Sequence, residues 1–306
     1  VSTGALLLGP GAWPGPPARP AALDALPYGV ELTALKSLHR LCDGRRTLFL
    51  VDRAGRLAEI VDIERWAAAT PGPPAEAATG SGAETDVPRA RAYDAHARAT
   101  RFGGHVCLVL SPHQEIKLFA DGVQAFAFTH GRWRILDPAA KFASWRAAVA
   151  DGALARVLFQ AALDLAECRQ GGLFVVAADP AAVTRLIPAH DLLTADAPGT
   201  GPPDLAPRDP KARCALHYLA RGRNALDLAP SVLEALASLD GALVTDRAGR
   251  LLAFGAILRN DATGPCAAEG ARTTAALAAS RFGPVLKVSE DGIVSCYLDG
   301  ARAWDL

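Results

Sequence analysis

The sequence predicts an α/β or α+β protein with a mixed β-sheet and flanking helices. Short apolar runs rich in β-formers alternate with amphipathic helical stretches, glycine-containing turns separate them, and one hairpin-helix-hairpin pattern occurs twice. A chain of 306 residues can form one large or two ordinary domains and bury a core without cross-links. We expect two halves, at 1–147 and 148–306.

Four ordered matches indicate the internal repeat. The hexapeptide DRAGRL occurs twice, each time between apolar runs that are typical of a β-hairpin, and an RFG tripeptide follows each copy. A second hairpin and a tryptophan segment complete each copy. The matched segments are 52–57 with 246–251, 101–103 with 281–283, 119–122 with 297–300, and 133–137 with 304–306. Their common order favours a duplication over a chance likeness of one turn.

Segments outside the repeat have their own signals. Proline and glycine predict a flexible arm over 1–20 and a flexible insert over 70–88. Apolar residues at helical spacing predict a helix over 148–170, which a glycine pair ends. The apolar run at 173–177 then predicts a short buried strand.

Charge excludes one class of partner. The 32 basic and 32 acidic side chains balance, so the chain has no overall field for a nucleic acid polymer or an anionic membrane. We expect neither as a partner. Any nucleotide must therefore be held by local groups.

Cysteine usage and hydropathy indicate the compartment. The six cysteines include no Cys-x-x-Cys pair, so neither a zinc knuckle nor a disulfide framework is expected. No apolar run approaches the roughly 20 residues that span a bilayer, and the start at Val1 lacks a secretory signal. These features predict a cytoplasmic protein. The sequence has no methionine, which fits either a processed chain or a trimmed one.

Four motifs follow one another in the second half. They are QGGLFVV at 170–176, DGA at 240–242, GAR at 270–272 and VSE at 288–290. In this order, on a strand, a hairpin, a helix and a second hairpin, they resemble the diadenylate cyclase (DAC) family across about residues 148–306. The resemblance implies a DAC-like mixed sheet with a nucleotide site, and the first half would be a degenerate copy.

The resemblance implies a role for each motif residue. Joining two ATP molecules needs a carboxylate near a 3′-hydroxyl, a divalent metal such as Mg²⁺ or Mn²⁺, and donors for pyrophosphate. In an active enzyme Asp240 and Glu290 would be catalytic and would hold the metal. The nucleotide-binding residues that it implies are Asp240, Gly241, Ala242, Leu258, Gly270, Arg272, Thr273, Thr274, Ser289 and Glu290.

The helix motif departs from the family pattern. The family has Gly-Thr-Arg-His-Arg, whereas residues 270–274 read GARTT and keep only the first arginine. Two lost bonds to phosphate would cost roughly 3 to 6 kcal/mol, which is on the order of a hundred- to ten-thousand-fold in rate or affinity. Thr273 and Thr274 still offer hydroxyls, and a helix beginning near Gly270 would direct backbone N–H groups at an anion.

Each motif residue also has a structural interpretation. The alternatives are a helix-to-strand turn at Asp240 and Gly241, helix capping by Thr273 and Thr274, a plain hairpin at Ser289 and Glu290, and a core position for Leu258. Lys287, Arg259 and Arg281 could replace part of the lost positive charge or lie in solvent. The first half keeps the frame without these motifs, because 111–113 reads SPH where the second half has its serine and glutamate.

Three functions remain open. The leading hypothesis is a sensor or regulatory module that binds ATP or a cyclic (di)nucleotide. The first alternative is an active diadenylate cyclase that makes cyclic di-AMP from two ATP. The second is a structural adaptor with an empty DAC-like cleft, and a homo-oligomer or a larger signalling complex is a further expectation.

Overall fold

The computed structural model describes residues 2–11, 27–29, 37, 40–69, 87–129, 131–193, 220–259 and 270–306. They form two compact units, Val1–Pro138 and Ala139–Leu306, each built on its own mixed sheet. The predicted α/β class is confirmed. Most of the predicted insert and residues 12–20 of the predicted arm lie outside the described residues. Within the described ranges, no helix combines the length and hydropathy that crossing a bilayer requires.

Seven strands form the sheet of the first unit, in the order β3-β2-β1-β4-β5-β6-β7. They are β1 (Thr3–Leu7), β2 (Thr47–Val51), β3 (Leu57–Asp62), β4 (Val106–Leu110), β5 (Ile116–Ala120), β6 (Val123–Thr129) and β7 (Arg132–Ile135). Only β1 and β2 are parallel. Helices α1 (Ile63–Ala69) and α2 (Asp94–Thr100) supply alanine and isoleucine side chains to a core on one face of this sheet.

The central strand β1 shows that the prediction of a flexible arm over 1–20 was wrong for residues 3–7. Residues 3–7 do not form a flexible segment, because they pair with β2 on one side and β4 on the other. Leu6 is fully buried in the core with Leu48 and Leu50. The proline and glycine that follow residue 8 suggested an arm, but the short apolar run before them is long enough for one buried strand.

Six strands form the sheet of the second unit, in the order β10-β9-β8-β11-β12-β13. They are β8 (Gly172–Ala177), β9 (Ala242–Asp246), β10 (Leu251–Ala256), β11 (Val285–Val288), β12 (Val294–Leu298) and β13 (Ala301–Asp305). Only β8 and β9 are parallel. The helices are α3 (Pro138–Val149), α4 (Gly152–Glu167), α5 (Val183–Leu186), α6 (Pro230–Ala237) and α7 (Ala271–Ala279).

Helices cover both faces of the second sheet. Leu173 belongs to a core cluster with side chains of α5 and α7. A Cβ built on the next residue, Gly172, would instead lie 3.0 Å from Leu165 of α4 and 3.2 Å from the Ala237 carbonyl of α6. Successive residues of a strand point to opposite faces, so α5 and α7 cover one face and α4 and α6 the other. Every residue of β8 is consequently buried.

The two sheets repeat one topology, which extends the duplication seen in the sequence. In each, a central strand pairs in parallel with the first strand of a hairpin and antiparallel with the strand that follows a helix. The two hexapeptide turns also agree in detail. The Asp52 carboxylate accepts backbone N–H groups two and four residues later at 2.9 and 2.8 Å, and Asp246 does so at 3.0 and 2.8 Å.

The tryptophan match of the repeat was wrong. Trp304 lies on β13 opposite Cys296, and the equivalent residue of the first unit is Phe126, which lies on β6 opposite Leu118. Trp133 belongs to β7, an extra strand without a counterpart in the described part of the second unit. Similar residue types near two chain segments suggested the match, but strand pairing decides the equivalence.

Candidate functional site

The four motifs of the second half meet at one edge of its sheet. Strands β8 and β9 are parallel, with Phe174 beside Leu243. Three residues back along both strands, this register places Gly171 beside Asp240. The glycine pair and the DGA motif therefore begin neighbouring strands at the same edge.

The serine-glutamate motif reaches this edge from the other side of β8. Strand β11 is antiparallel to β8, and Val288 pairs with Gly172. The next step of this register places Ser289 beside Gly171. Neighbouring strands are about 4.8 Å apart, so Asp240 and Ser289 flank Gly171 with about 10 Å between their backbones. We call the strand ends at Gly171, Asp240 and Ser289 the motif edge.

Arg272 brings the helix motif to the motif edge. It lies in the first turn of α7, and a Cβ built on Gly171 would overlap its guanidinium. Glycine at 171 thus leaves the space in which the arginine rests. Nη1 of Arg272 donates a hydrogen bond to Oε1 of Glu290 at 3.2 Å, with side-chain exposures of 36% and 72%. The motif arginine is therefore accessible and already has an anionic partner.

Thr273 is directed into the protein. It is 2% exposed, and its hydroxyl oxygen accepts a hydrogen bond from Nζ of Lys287 at 3.0 Å. Lys287 lies on β11 and is only partly exposed. Of the three cations that could replace lost charge, this one contacts the helix motif directly.

Thr274 is also used inside the protein. It is 8% exposed, and its hydroxyl donates to the Gly270 carbonyl at 3.3 Å. Gly270 precedes the helix with φ of 105°, a conformation that favours glycine. The burial of both threonines supports the interpretation that they begin the helix and does not support a direct contact with phosphate.

Ser289 forms the turn between β11 and β12. Its hydroxyl oxygen accepts the Ile293 N–H at 3.3 Å, and the Ser289 N–H donates to the Ile293 carbonyl at 3.0 Å. Ser111 makes the same two bonds with Glu115 in the first unit, at 3.3 and 2.8 Å. Because the unit without the motifs keeps this turn, the frame alone accounts for the serine. The frame does not account for Glu290 in this way, because the residue after Ser111 in the first unit is a proline.

Asp240 is exposed and precedes β9, whereas its neighbours serve the fold. Gly241 has φ of 109°, and a Cβ there would lie 2.7 Å from the Ala256 backbone nitrogen. The resemblance implies a nucleotide contact at this glycine, but the closeness of strand β10 by itself requires a residue without a side chain here. Ala242 is fully buried and pairs with Ala256.

Leu258 follows β10 at the same edge. Two bonds hold this segment: the buried Asp191 carboxylate accepts the Ile257 N–H at 3.3 Å, and the Arg259 N–H donates to the Leu186 carbonyl at 2.8 Å. The partly buried Leu258 side chain packs on the core cluster of α5 and α7. This contact supports the core interpretation of the leucine.

The remaining arginines divide between the two ends of the sheet. Arg259 is exposed beside Leu258. Arg281 lies against Gly300 in the β12–β13 turn, 3.3 Å from a Cβ built there, at the end opposite the motif edge. Arg169 was missed by the sequence reasoning and lies against Gly292 in the serine turn, 2.7 Å from a built Cβ. A glycine opposite a long basic side chain is the signal that could have indicated it.

Two carboxylates reach the motif edge as possible metal ligands. Asp240 and Glu290 lie there, but no cluster of three or more His, Cys, Asp or Glu occurs in the described ranges. Mg²⁺ is commonly held by one or two carboxylates together with phosphate oxygens. The donor set thus fits a metal that arrives with a nucleotide and does not fit one held by the protein alone.

Neither a protein-family model nor a curated protein matches this chain. A hypothetical membrane spanning protein from Bacillus cereus matches 48% of it with 21% identity and a TM-score of 0.33, and the chain covers 60% of that structure. DacA from Staphylococcus aureus, a diadenylate cyclase, matches 50% of it with 20% identity and the same TM-score, over 86% of DacA. These are weak structural similarities over half of the chain, and they carry no activity to it.

Proposed function

We propose that the second unit binds a purine nucleotide, ATP or a cyclic (di)nucleotide, and acts as a sensor or regulatory module. The proposal depends on one observation: motif segments far apart in sequence meet at one edge, with Arg272 lying on Gly171 between Asp240 and Ser289. An accessible guanidinium at a helix N-terminus is suited to phosphate.

Binding is better supported than catalysis. The positions at which the family carries its second and third basic residues are the buried Thr273 and Thr274. Asp240 and Glu290 would hold Mg²⁺ or Mn²⁺ only together with ligand phosphates, and Glu290 would first have to release Arg272. A site with one accessible arginine can hold a nucleotide but is poorly equipped to stabilise departing pyrophosphate.

Calorimetric titration with ATP, cyclic di-AMP and related cyclic nucleotides tests binding. We expect the wild type to bind at least one of them and Arg272→Ala to bind it about tenfold more weakly or worse, since a bond to a charged group contributes roughly 1.5 to 3 kcal/mol. Arg281→Ala is the matched control, because that arginine also lies on a glycine but at the opposite edge. Absence of heat with every nucleotide would refute the proposal.

The structural adaptor is the second candidate, and the Arg272–Glu290 pair favours it. The pair lies within the motif edge and neutralises the motif arginine without any ligand. An adaptor would bind no nucleotide either as wild type or as Glu290→Gln, in which Arg272 is released. Incubation of both proteins with ATP and Mn²⁺, followed by chromatography, tests for the cyclase; product that is lost in Asp240→Asn would establish it.

A further inference from the structure

We propose that Lys287 is the second phosphate-binding cation of the site, replacing in space the basic side chains that the helix motif lacks. The inference rests on the proposed nucleotide site and names the part of the ligand that this residue holds. Arg272 and Lys287 would together bind the phosphate oxygens.

The position of Lys287 supports this role. It lies on β11 two residues before Ser289, on the sheet face that α7 covers, opposite Leu173 of β8. Its ammonium contacts the Thr273 hydroxyl at 3.0 Å. Thr273 stands where the family motif has histidine, so the charge lost from the helix reappears on the neighbouring strand.

Lys287 has a hydroxyl partner and no carboxylate partner in the described part of the chain. No carboxylate of the described chain lies within ion-pair distance of its Nζ, whereas Arg272 has Glu290 at 3.2 Å. An ammonium whose side-chain partner is a hydroxyl keeps donor capacity for an anion. An anion at the motif edge would supply the missing charged partner.

The first unit shows that the frame does not need a lysine here. The equivalent residue is Val109, which also lies two residues before the turn serine and is 1% exposed. The same strand position holds a buried valine in one unit and a lysine in the other. The fold therefore does not require the lysine, and we infer that a ligand does. Phosphate meets this requirement, because several oxygens can contact an ammonium, a guanidinium and helix N–H groups together.

The test is titration of wild type, Lys287→Met and Lys287→Arg with ATP, adenosine and inorganic triphosphate. Methionine keeps the length of the side chain without its charge, and the frame accepts an apolar residue at this position. We expect Lys287→Met to bind ATP and triphosphate about tenfold more weakly, with adenosine affinity unchanged and a melting temperature without ligand at least equal to the wild type. Lys287→Arg should keep most of the ATP affinity.

The outcomes separate this inference from the proposed function. If wild type and Lys287→Met bind ATP within twofold of each other, Lys287 does not hold phosphate, although the nucleotide site stands. If the wild type binds triphosphate but no nucleotide, and Lys287→Met loses triphosphate, the cation pair stands and the nucleotide function fails. If the wild type binds none of the three ligands and no cyclic nucleotide either, both are overturned.

Discussion

The two units share a frame and differ in what the frame carries. Both place a parallel pair at the centre of a mixed sheet and fold their DRAGRL turns around an aspartate. Both use a serine to close the corresponding hairpin. Only the second unit carries a lysine two residues before that serine and an arginine in the first turn of the helix, whereas the first has Val109 there and begins α2 with Asp94. The first unit is therefore an internal control that separates residues of the frame from residues of the site.

The units also differ in what covers the strand after the serine hairpin. In the second unit the Trp304 ring centre lies 6.1 Å from that of Phe159 on α4. The equivalent Phe126 of the first unit is 37% exposed, and on the adjacent strand β7 Trp133 and Ile135 are 54% and 76% exposed. At this strand position Trp304 is partly buried against a helix, whereas Phe126 is the exposed residue of a mostly half-buried strand.

The largest effect is expected at the start of β9. Gly241→Ala should destabilise the second unit by roughly 4 kcal/mol, because the new Cβ would meet the backbone of Gly255 and Ala256 and the φ of 109° is strained for alanine. Gly55→Ala is the control, because Gly55 has φ of 75° but a Cβ added there would have no atom within 4 Å. Chemical denaturation measures both; equal losses would show that β10 does not crowd Gly241.

Acid should act on the first unit. Burial lowers the pKa of His96 to about 4, and the Gly44 carbonyl lies 3.0 Å from its Nε2. The imidazole of His96 binds a proton more readily in the unfolded state than in the folded state. Its contribution to stability is therefore fully present above the ordinary pKa of 6.5 and is lost as the pH falls towards 4. The loss should be on the order of 3 kcal/mol. The buried His105, whose pKa is also lowered by burial, acts in the same direction.

Hydrogen exchange followed by mass spectrometry can measure this acid effect for each unit. Peptides from 94–120 should lose protection between pH 7 and pH 4, and His96→Gln should flatten that slope. His113→Gln is the control because His113 is exposed in a turn. A slope that His96→Gln leaves unchanged would assign the acid sensitivity to other groups.

Truncation of Trp304 should cost more stability than truncation of its equivalent Phe126. Trp304→Ala removes the contact with Phe159 and should cost about 2 kcal/mol, whereas Phe126→Ala should cost less than about 1 kcal/mol. Urea denaturation of the two variants gives the comparison. Equal costs would mean that Phe126 is covered in solution.

The smallest effect tests the serine pair. Ser111→Ala and Ser289→Ala should each cost about 0.5 to 1 kcal/mol, because each removes one side-chain hydrogen bond to a backbone N–H of the turn. Nucleotide affinity should be unchanged in both variants if the serine belongs to the frame alone. Weaker binding by Ser289→Ala and not by Ser111→Ala would give Ser289 a contact with the ligand.

Local signals predicted much of the fold. The DRAGRL turns, the helix-ending glycine pair and the apolar strand after it are decided by neighbouring residues, and the structure places a turn, a helix end and β8 there. The predicted helix over 148–170 is α4, Gly152–Glu167, which starts later than predicted because Asp151 caps it by accepting the Leu154 N–H at 2.8 Å, while residues 148 and 149 end α3. The central strand β1 was missed because its five residues carry too weak a local pattern.

The candidate site shows the same division. Sequence order placed Asp240, Arg272 and Glu290 in one motif set, but it did not show that the threonines are buried or that Lys287 contacts one of them. Burial depends on which side of the helix faces the sheet, and that depends on packing. Side chains of β11 alternate between the two faces of the sheet, and this alternation places Lys287 on the face that α7 covers.

By itself the sequence determined the repeated frame, the α/β class and the motif order, because turns, caps and apolar periodicity act over a few residues. Tertiary structure alone decided that four distant segments meet at the motif edge and that Glu290 forms an ion pair with Arg272. It also decided that glycines 171 and 241 make room for an arginine and a strand. Strand register joins residues separated by up to about a hundred positions, and no local pattern encodes that register.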